Sequence, residues 1–312
     1  AMGILWVLEL IPMPATALLP LVYLPISGVG IPLSKLIASY SHPIVFLFLG
    51  GFIIGMAMEK HNLHKRIAFG IMSLFGIQPK KLLLGCMTAC AFISMWVNNT
   101  TATIMMVPLG LALVNAITKG ADKHIQQKFS AVFLLGIAYS SSLGGIATLV
   151  GSTPNIFLKG FLEHNYNITI NFISWMIVGL PISIVSIIFC WLWMSKGLKA
   201  NCYKGKEVLL EFKLSLGKIT KGEALVAIVF SCTALSWIFQ KPLTAVFSYI
   251  LGKPIIYNDT VIAMFAAIVL FTIPLSLKKK EFLLDWQITK DLPWGMLLLF
   301  GGGLALSVEV GS

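Results

Sequence analysis

Charge is what this sequence has least of. Only 11% of its 312 residues are Asp, Glu, Lys or Arg, and just 12 of them are acidic. A soluble globular chain carries roughly twice that share, so an ordinary water-exposed surface is excluded. Hydrophobic residues fill 57% of positions and the mean hydropathy is +0.89. That is the composition of an all-α polytopic membrane protein. Cysteine is sparse as well. Five cysteines (Cys86, Cys90, Cys190, Cys202 and Cys232) are scattered, and no second Cys or His pair completes a zinc spacing around Cys86 and Cys90. They read as buried free thiols. His61-Asn62-Leu63-His64 lacks the His-Glu-x-x-His spacing of a zinc hydrolase and reads as an exposed interfacial pair. Ser140-Ser141-Ser142 has no His or Lys that the sequence places beside it. These absences argue against an intramembrane enzyme, and no catalytic residue is assigned. No cleavable signal peptide is legible either. The chain opens directly on an apolar segment, and we expect its natural start upstream.

The net charge of +11 raises nucleic acid as a partner, but the placement of the charge argues otherwise. Apolar segments read as 4–24, 43–58, a hairpin within 82–115, then 130–158, 172–195, 223–240, 258–276 and 294–309. The connections 59–81, 116–130, 196–222 and 277–290 between them hold 19 of the 23 basic residues. The opposite side keeps only Lys35, Lys159, Lys241 and Lys253. Such a split satisfies the positive-inside rule, with the four basic connections cytoplasmic in a plasma or inner membrane. It holds only if 82–115 enters and leaves on one side. A single crossing would put Lys80 and Lys81 on the face opposite Lys119, Lys123 and Lys128.

That hairpin carries the most informative residues. Asn98-Asn99-Thr100-Thr101 interrupts an apolar stretch, and in lipid such a cluster costs several kcal/mol unless its groups find partners. A re-entrant hairpin with these residues at its tip explains their midway position, provided protein or a water-filled cavity surrounds the tip. A second interruption, Gly151-Ser152-Thr153-Pro154-Asn155, breaks the segment 130–158. Two broken segments with small polar residues at the breaks point to a transporter's substrate and ion site. Broken helices expose unpaired N–H groups and positive dipole ends, which hold a small anion without a buried Arg or Lys. Asn99 offers an amide and Thr100 a hydroxyl, while carbonyl, Asn and Ser oxygens suit a hard cation such as sodium. Gly151 permits close backbone approach, and Pro154 stops helix hydrogen bonding. The competing account is a kink capped by Asn and Thr.

Elsewhere, Pro12, Pro14 and Pro20 predict that 4–24 is kinked or divided. Glu9 lies within it, near an interface or facing the bundle interior. Residues 60–81 mix Lys60, His61, His64, Lys65 and Arg66 with apolar residues, as an interfacial amphipathic helix does. Trp175, Trp191, Trp193, Trp237, Trp286 and Trp294 lie near expected segment ends. A faint repeat aligns Pro43–Glu59 with Pro293–Glu309 at a shift of 250 residues, matching Pro43/Pro293, Leu47/Leu297, Leu49/Leu299, Gly51/Gly301 and Glu59/Glu309. The charge pattern makes the copies inverted. On this reading 1–222 is a first repeat with its hairpin 82–115 and broken helix 130–158. Residues 223–312 begin a second repeat whose hairpin is missing, and the chain is expected to be incomplete at its C-terminus.

The motifs carry a family resemblance. Ser94-Met95-Trp96-Val97-Asn98-Asn99-Thr100-Thr101-Ala102-Thr103, followed by Met105-Met106-Val107-Pro108, resembles the first Ser-Asn-Thr hairpin of the divalent anion/sodium symporters, the INDY-like family. Tyr139 to Asn155 resembles that family's broken fifth helix, and Leu47–Gly51, Glu59–Arg66, Leu292-Pro293-Trp294 and Phe300–Gly303 are similar to it too. The resemblance covers essentially the whole chain. It implies a homodimer, with a scaffold and a moving transport domain in each subunit, that carries its substrate by an elevator motion. It implies substrate contacts from Asn99 and Thr100, with Thr153 of the second break beside them. It also implies a first sodium ion among Ser94, Asn98, Asn99 and Gly151. Asn98 stands where the family usually has Ser, so sodium coupling is the less secure half of that inference. The function implied is transport of a di- or tricarboxylate of the succinate, malate or citrate type, coupled to sodium. A sodium-independent anion exchanger, a sulfate carrier of the same architecture and a channel built on re-entrant loops stay open at this point. No cofactor is implied beyond sodium as coupling ion, and no nucleic acid.

Overall fold

The structure is a computed structural model that describes residues 2–8, 10–28, 30–76, 78–198, 205–278 and 280–310. Glu9 and Cys202 lie outside the described residues. Prolines divide the first apolar stretch as expected. Short helices α1 (Met2–Leu8), α2 (Met13–Thr16) and α3 (Leu19–Ile26) replace one long one, with Pro12 capping α2 and Pro20 in the first turn of α3. Helix α4 (Leu33–Tyr40) runs to α5 (Pro43–Lys60), which starts at Pro43 with the His42 side chain accepting the Ile44 N–H. Helix α6 (Leu63–Ser73) follows through Asn62, held in the left-handed region at φ 55°.

The polar tip at 95–98 separates α7 (Pro79–Ser94) from α8 (Asn99–Ile117), and the two helices pack against one another. Both lie against α9 (Lys123–Gly145), which ends where the second break begins. After it come α10 (Thr153–Tyr166), α11 (Phe172–Ser195), α12 (Gly205–Leu216) and α13 (Lys221–Ile238). The chain continues through α14 (Gln240–Leu251) and α15 (Asp259–Thr272). A two-stranded antiparallel hairpin follows, β1 (Pro274–Ser276) and β2 (Glu281–Phe282), then a 3₁₀ turn (Trp286–Asp291) and α16 (Trp294–Val310). The hairpin strands, α4 and α14 escaped the sequence reading because each is short.

Among the described residues, four helical segments, Leu33–Lys60, Asn99–Ile117, Phe172–Ser195 and Lys221–Ile238, are long and apolar enough to cross a membrane. Helix α11 leaves Ile177, Ile182, Val185, Phe189 and Trp193 exposed along one side, an apolar stripe that water would not tolerate and lipid does. The core lies between α5, α7, α9 and α15, where Leu47, Leu82, Met87, Phe133 and Leu270 are buried. The two segments related by the faint repeat meet each other, with the Phe48 and Phe300 rings 4.7 Å apart.

The amphipathic segment after Lys60 is a helix, but its histidines are not the exposed pair expected. His64 is buried, and its Nδ1–H donates to Met58 O at 3.2 Å. His61 Nε2–H donates to Leu283 O at 2.9 Å. Each ring satisfies a backbone carbonyl that a helix end or a chain crossing leaves open. Arg66 reaches Glu223 from α6, with Nη2 to Oε2 at 3.1 Å and Nε to Oε1 at 3.3 Å. The same Nη2 donates to Leu216 O at 3.2 Å, at the end of α12. Glu223 also accepts the Thr220 N–H, which closes a capping box on α13. Of the cysteines, Cys86 and Cys90 are buried thiols as expected, whereas Cys232 is exposed.

Candidate functional site

The site forms where three chain segments meet: the α7–α8 tip, the end of α9 and the turn before α10. Close approach comes first. A Cβ on Gly144 would lie 2.7 Å from the Ala91 carbonyl carbon, so α9 crosses α7 with their backbones in contact. One residue on, Gly145 meets the Asn99 amide, and a Cβ there would lie 3.0 Å from Gly151 O. A Cβ on Gly151 would lie 2.7 Å from Gly145 O and 2.8 Å from Ser94 O. Carbonyl oxygens of Ser94 and Gly145 therefore lie against Gly151, and that of Gly151 against Gly145, an approach that only Gly at 145 and 151 permits.

The Asn99 amide fills one side of that space. It lies 2.8 Å from Ser94 Oγ, 3.1 Å from Gly151 O and 3.3 Å from Ser141 O. With its nitrogen turned inward, the amide donates to these oxygens. With its oxygen inward, it accepts from Ser94 Oγ at 2.8 Å while facing two carbonyl oxygens. The first arrangement gives every amide atom a complementary neighbour.

Side chains to which the sequence reading gave no binding role hold the segments together. Ser141, fully buried on α9, donates from Oγ to Asn99 O at 2.6 Å. Thr148 Oγ1 donates to Met95 O and accepts the Gly151 N–H at 3.1 Å. Asn155 closes the break from within, its Nδ2 donating to Gly145 O and Thr148 O, each at 2.8 Å. Trp175 of α11 donates from Nε1 to Ile146 O at 2.9 Å. At the tip, Trp96 lies parallel to Trp237 of α13 with centroids 6.3 Å apart, and meets Phe230 edge-on at 4.9 Å. A signal for the missed residues was present, since Ser141, Gly144, Gly145 and Thr148 recur at helical spacing on one face. Which hydroxyl in a run of small residues turns inward depends on the partner helix, and spacing does not supply that.

Of the residues named from the sequence, Ser94, Asn99 and Gly151 come together here. Asn98 sits beside them as the N-cap of α8, its Oδ1 accepting the Thr101 N–H at 2.8 Å. Thr100 is exposed, and among the described residues its hydroxyl has no hydrogen-bond partner. Thr153 lies apart from the hydrogen-bonded cluster, half-buried at the start of α10. It opens onto a cavity of about 700 Å³ whose walls include Trp6, Phe157, Phe161 and Phe300. The two helix N-termini at Asn98 and Ser152 border the cluster, each with backbone N–H groups not spent within its helix.

Comparison with known proteins adds a decisive observation. Residues 1–311 match the family model described as the sodium:sulfate symporter transmembrane region. The chain belongs to that family. It is 40% identical over 311 residues to the sodium-dependent dicarboxylate transporter SdcS of Staphylococcus saprophyticus, an alignment covering 97% of this chain and 59% of that protein. It is 39% identical over 314 residues to the protein of the same name from Staphylococcus aureus, with the same coverage. The chain thus spans 59% of the length of these curated relatives. Membership of this symporter family, with its apolar helices, makes the chain part of an integral membrane protein.

Proposed function

We propose that the full-length protein is a secondary active transporter, not an enzyme, that moves a di- or tricarboxylate of the succinate, malate or citrate type with sodium. One observation carries the cation half of this reading: Ser94 Oγ, Gly151 O and Ser141 O surround the Asn99 amide, and the Ser94 and Gly145 carbonyl oxygens lie close by against Gly151. A buried ring of uncharged oxygens suits a hard monovalent cation better than an anion. The relatives' names, which specify sodium dependence and dicarboxylate transport, support the same assignment. The anion half rests on the polar helix N-termini around Asn99, Thr100 and Thr153. Their N–H groups and hydroxyls would receive a carboxylate, and the adjacent bound sodium would offset its charge. The Asn98 side chain is held by its cap on the Thr101 N–H and would join the ion through the second lone pair of its Oδ1 or after a change of rotamer. This side chain is therefore where a sodium-independent exchanger would differ.

Alternating access would move the loaded site past a fixed scaffold in an elevator motion, within a homodimer and on an inverted repeat of 1–222 and 223 onward, in which Pro43–Glu59 corresponds to Pro293–Glu309. The hairpin 82–115 would re-enter from the side of the basic connections 59–81, 116–130, 196–222 and 277–290, which would face the cytoplasm. The test is radiolabelled succinate uptake by the full-length protein in proteoliposomes, with and without an inward sodium gradient. Sodium-driven uptake that drops at least about tenfold in Asn99→Ala is expected, the loss matching one or more charge-assisted hydrogen bonds. Uptake indifferent to sodium but driven by internal dicarboxylate would establish the exchanger. Uptake of sulfate in preference to succinate would establish the sulfate carrier.

A further inference from the structure

Thr148 is fully buried, and its hydroxyl is spent twice on backbone. Oγ1 donates to Met95 O, on the tip between α7 and α8, and accepts the N–H of Gly151, in the break before α10. Those two groups belong to the two segments that supply the Ser94 and Gly151 oxygens, since Met95 follows Ser94 directly and Gly151 contributes its own carbonyl. Thr148 is in turn held by Asn155, whose Nδ2 donates to Thr148 O and to Gly145 O. With its proton donated and one lone pair accepting, the hydroxyl is oriented by the protein's own backbone. What it does determine is the separation of the two walls.

We propose that Thr148 is the positioning residue that sets the width of the cation pocket and hence its choice among monovalent cations, a role that rests on the cation reading of that pocket. The physical reason is geometric. A ring of carbonyl oxygens discriminates between ions of one charge by the distance at which it holds them. The Ser94 and Gly151 oxygens come from segments far apart in sequence, so a cross-tie rather than helix geometry must fix their spacing. Ser141 ties α9 to the tip at Asn99 O, but it does not touch the Gly151 segment. Thr148 bonds both segments through their backbone, whereas the Asn99 amide, which also reaches Ser94 Oγ and Gly151 O, is part of the pocket lining itself.

The test compares Thr148→Val with Thr148→Ser in the full-length protein, measuring succinate uptake against sodium and against lithium. Valine keeps the shape and removes both hydrogen bonds; serine keeps the hydroxyl. With valine, half-saturating sodium is expected to rise about tenfold and the preference for sodium over lithium to shrink. Serine is expected to retain wild-type values for both. Thr148→Cys, whose larger and weakly bonding sulfur spreads the walls, covers the case in which valine prevents folding, and the same loss of ion preference is expected there. A folded valine or cysteine variant with unchanged half-saturation and an unchanged sodium-to-lithium ratio overturns the proposal, even if its thermal stability falls. Wild-type uptake that ignores sodium overturns the cation reading itself, an outcome distinct from failure of the Thr148 role alone.

Discussion

Gly144→Ala adds one methyl group to the helix crossing that builds the site. The new Cβ would lie 2.7 Å from the Ala91 carbonyl carbon, and nearer still to that residue's oxygen and Cα, where ordinary contact begins at 3.4 Å. All three obstacles are backbone, so no rotamer change relieves them. Helices α7 and α9 must part by about 1 Å, an overpacking that costs roughly 1–3 kcal/mol. The same displacement acts on function. Ser141 lies one turn before Gly144, and its Oγ donates to Asn99 O at 2.6 Å. Moving α9 away by about 1 Å stretches that bond beyond hydrogen-bond range and withdraws Gly145 from the Asn99 amide. The expected result has two parts: a lower unfolding temperature in detergent, and less additional stabilisation by sodium than the wild type shows. Thermal unfolding with and without sodium, alongside succinate uptake, reads both. A Gly144→Ala protein with wild-type unfolding and a wild-type sodium increment would refute the claim that backbone contact at this crossing holds the site.

Two further predictions concern the other side of the molecule. Glu223→Ala removes the carboxylate that pairs with Arg66 and caps Thr220, and is expected to lower stability by about 3 kcal/mol. Glu223→Gln, which still accepts from Thr220, should lose less than Ala; a Gln variant with no loss at all would mean that the charge pairing contributes nothing. Stability should also depend on pH through His64. Burial holds its pKa below the ordinary range and neighbouring Lys65 lowers it further, against the Met58 hydrogen bond that raises it. The unfolded chain therefore binds a proton at this residue at a pH where the folded one does not, so the contribution is intact above about pH 6.5 and is lost as pH falls below that value. The unfolding temperature should drop more steeply between pH 7 and 5.5 in the wild type than in His64→Gln; parallel curves would rule His64 out.

Much of this architecture is legible without coordinates because lipid makes the rules strict. A segment that must bury every backbone bond and shed every charge announces itself in composition, and so the helices at 43–60, 172–195 and 221–238 and the divisions at Pro12 and Pro20 were readable. So was the conflict at Asn98–Thr101, where polar residues interrupt an apolar run and some partner must satisfy them. Ser94, Asn99 and Gly151, drawn from two motifs, were named from the chain alone, and they do converge. Sequence could not settle which polar groups face inward. Asn98 and Asn99 are adjacent and identical, yet one caps a helix and the other lines the oxygen ring, because a helix start turns successive side chains in different directions. The histidines near the membrane surface read as exposed until carbonyls of Met58 and Leu283, one of them more than two hundred residues away, were seen to receive them. Thr148 and Asn155 look like any polar residues around a helix break. Their importance lies in which backbone groups of another segment stand within about 3 Å. Local chemistry and periodicity are written in the order of residues; distances between segments arise only when helices pack, and the oxygen ring at the centre of this protein is made of such distances.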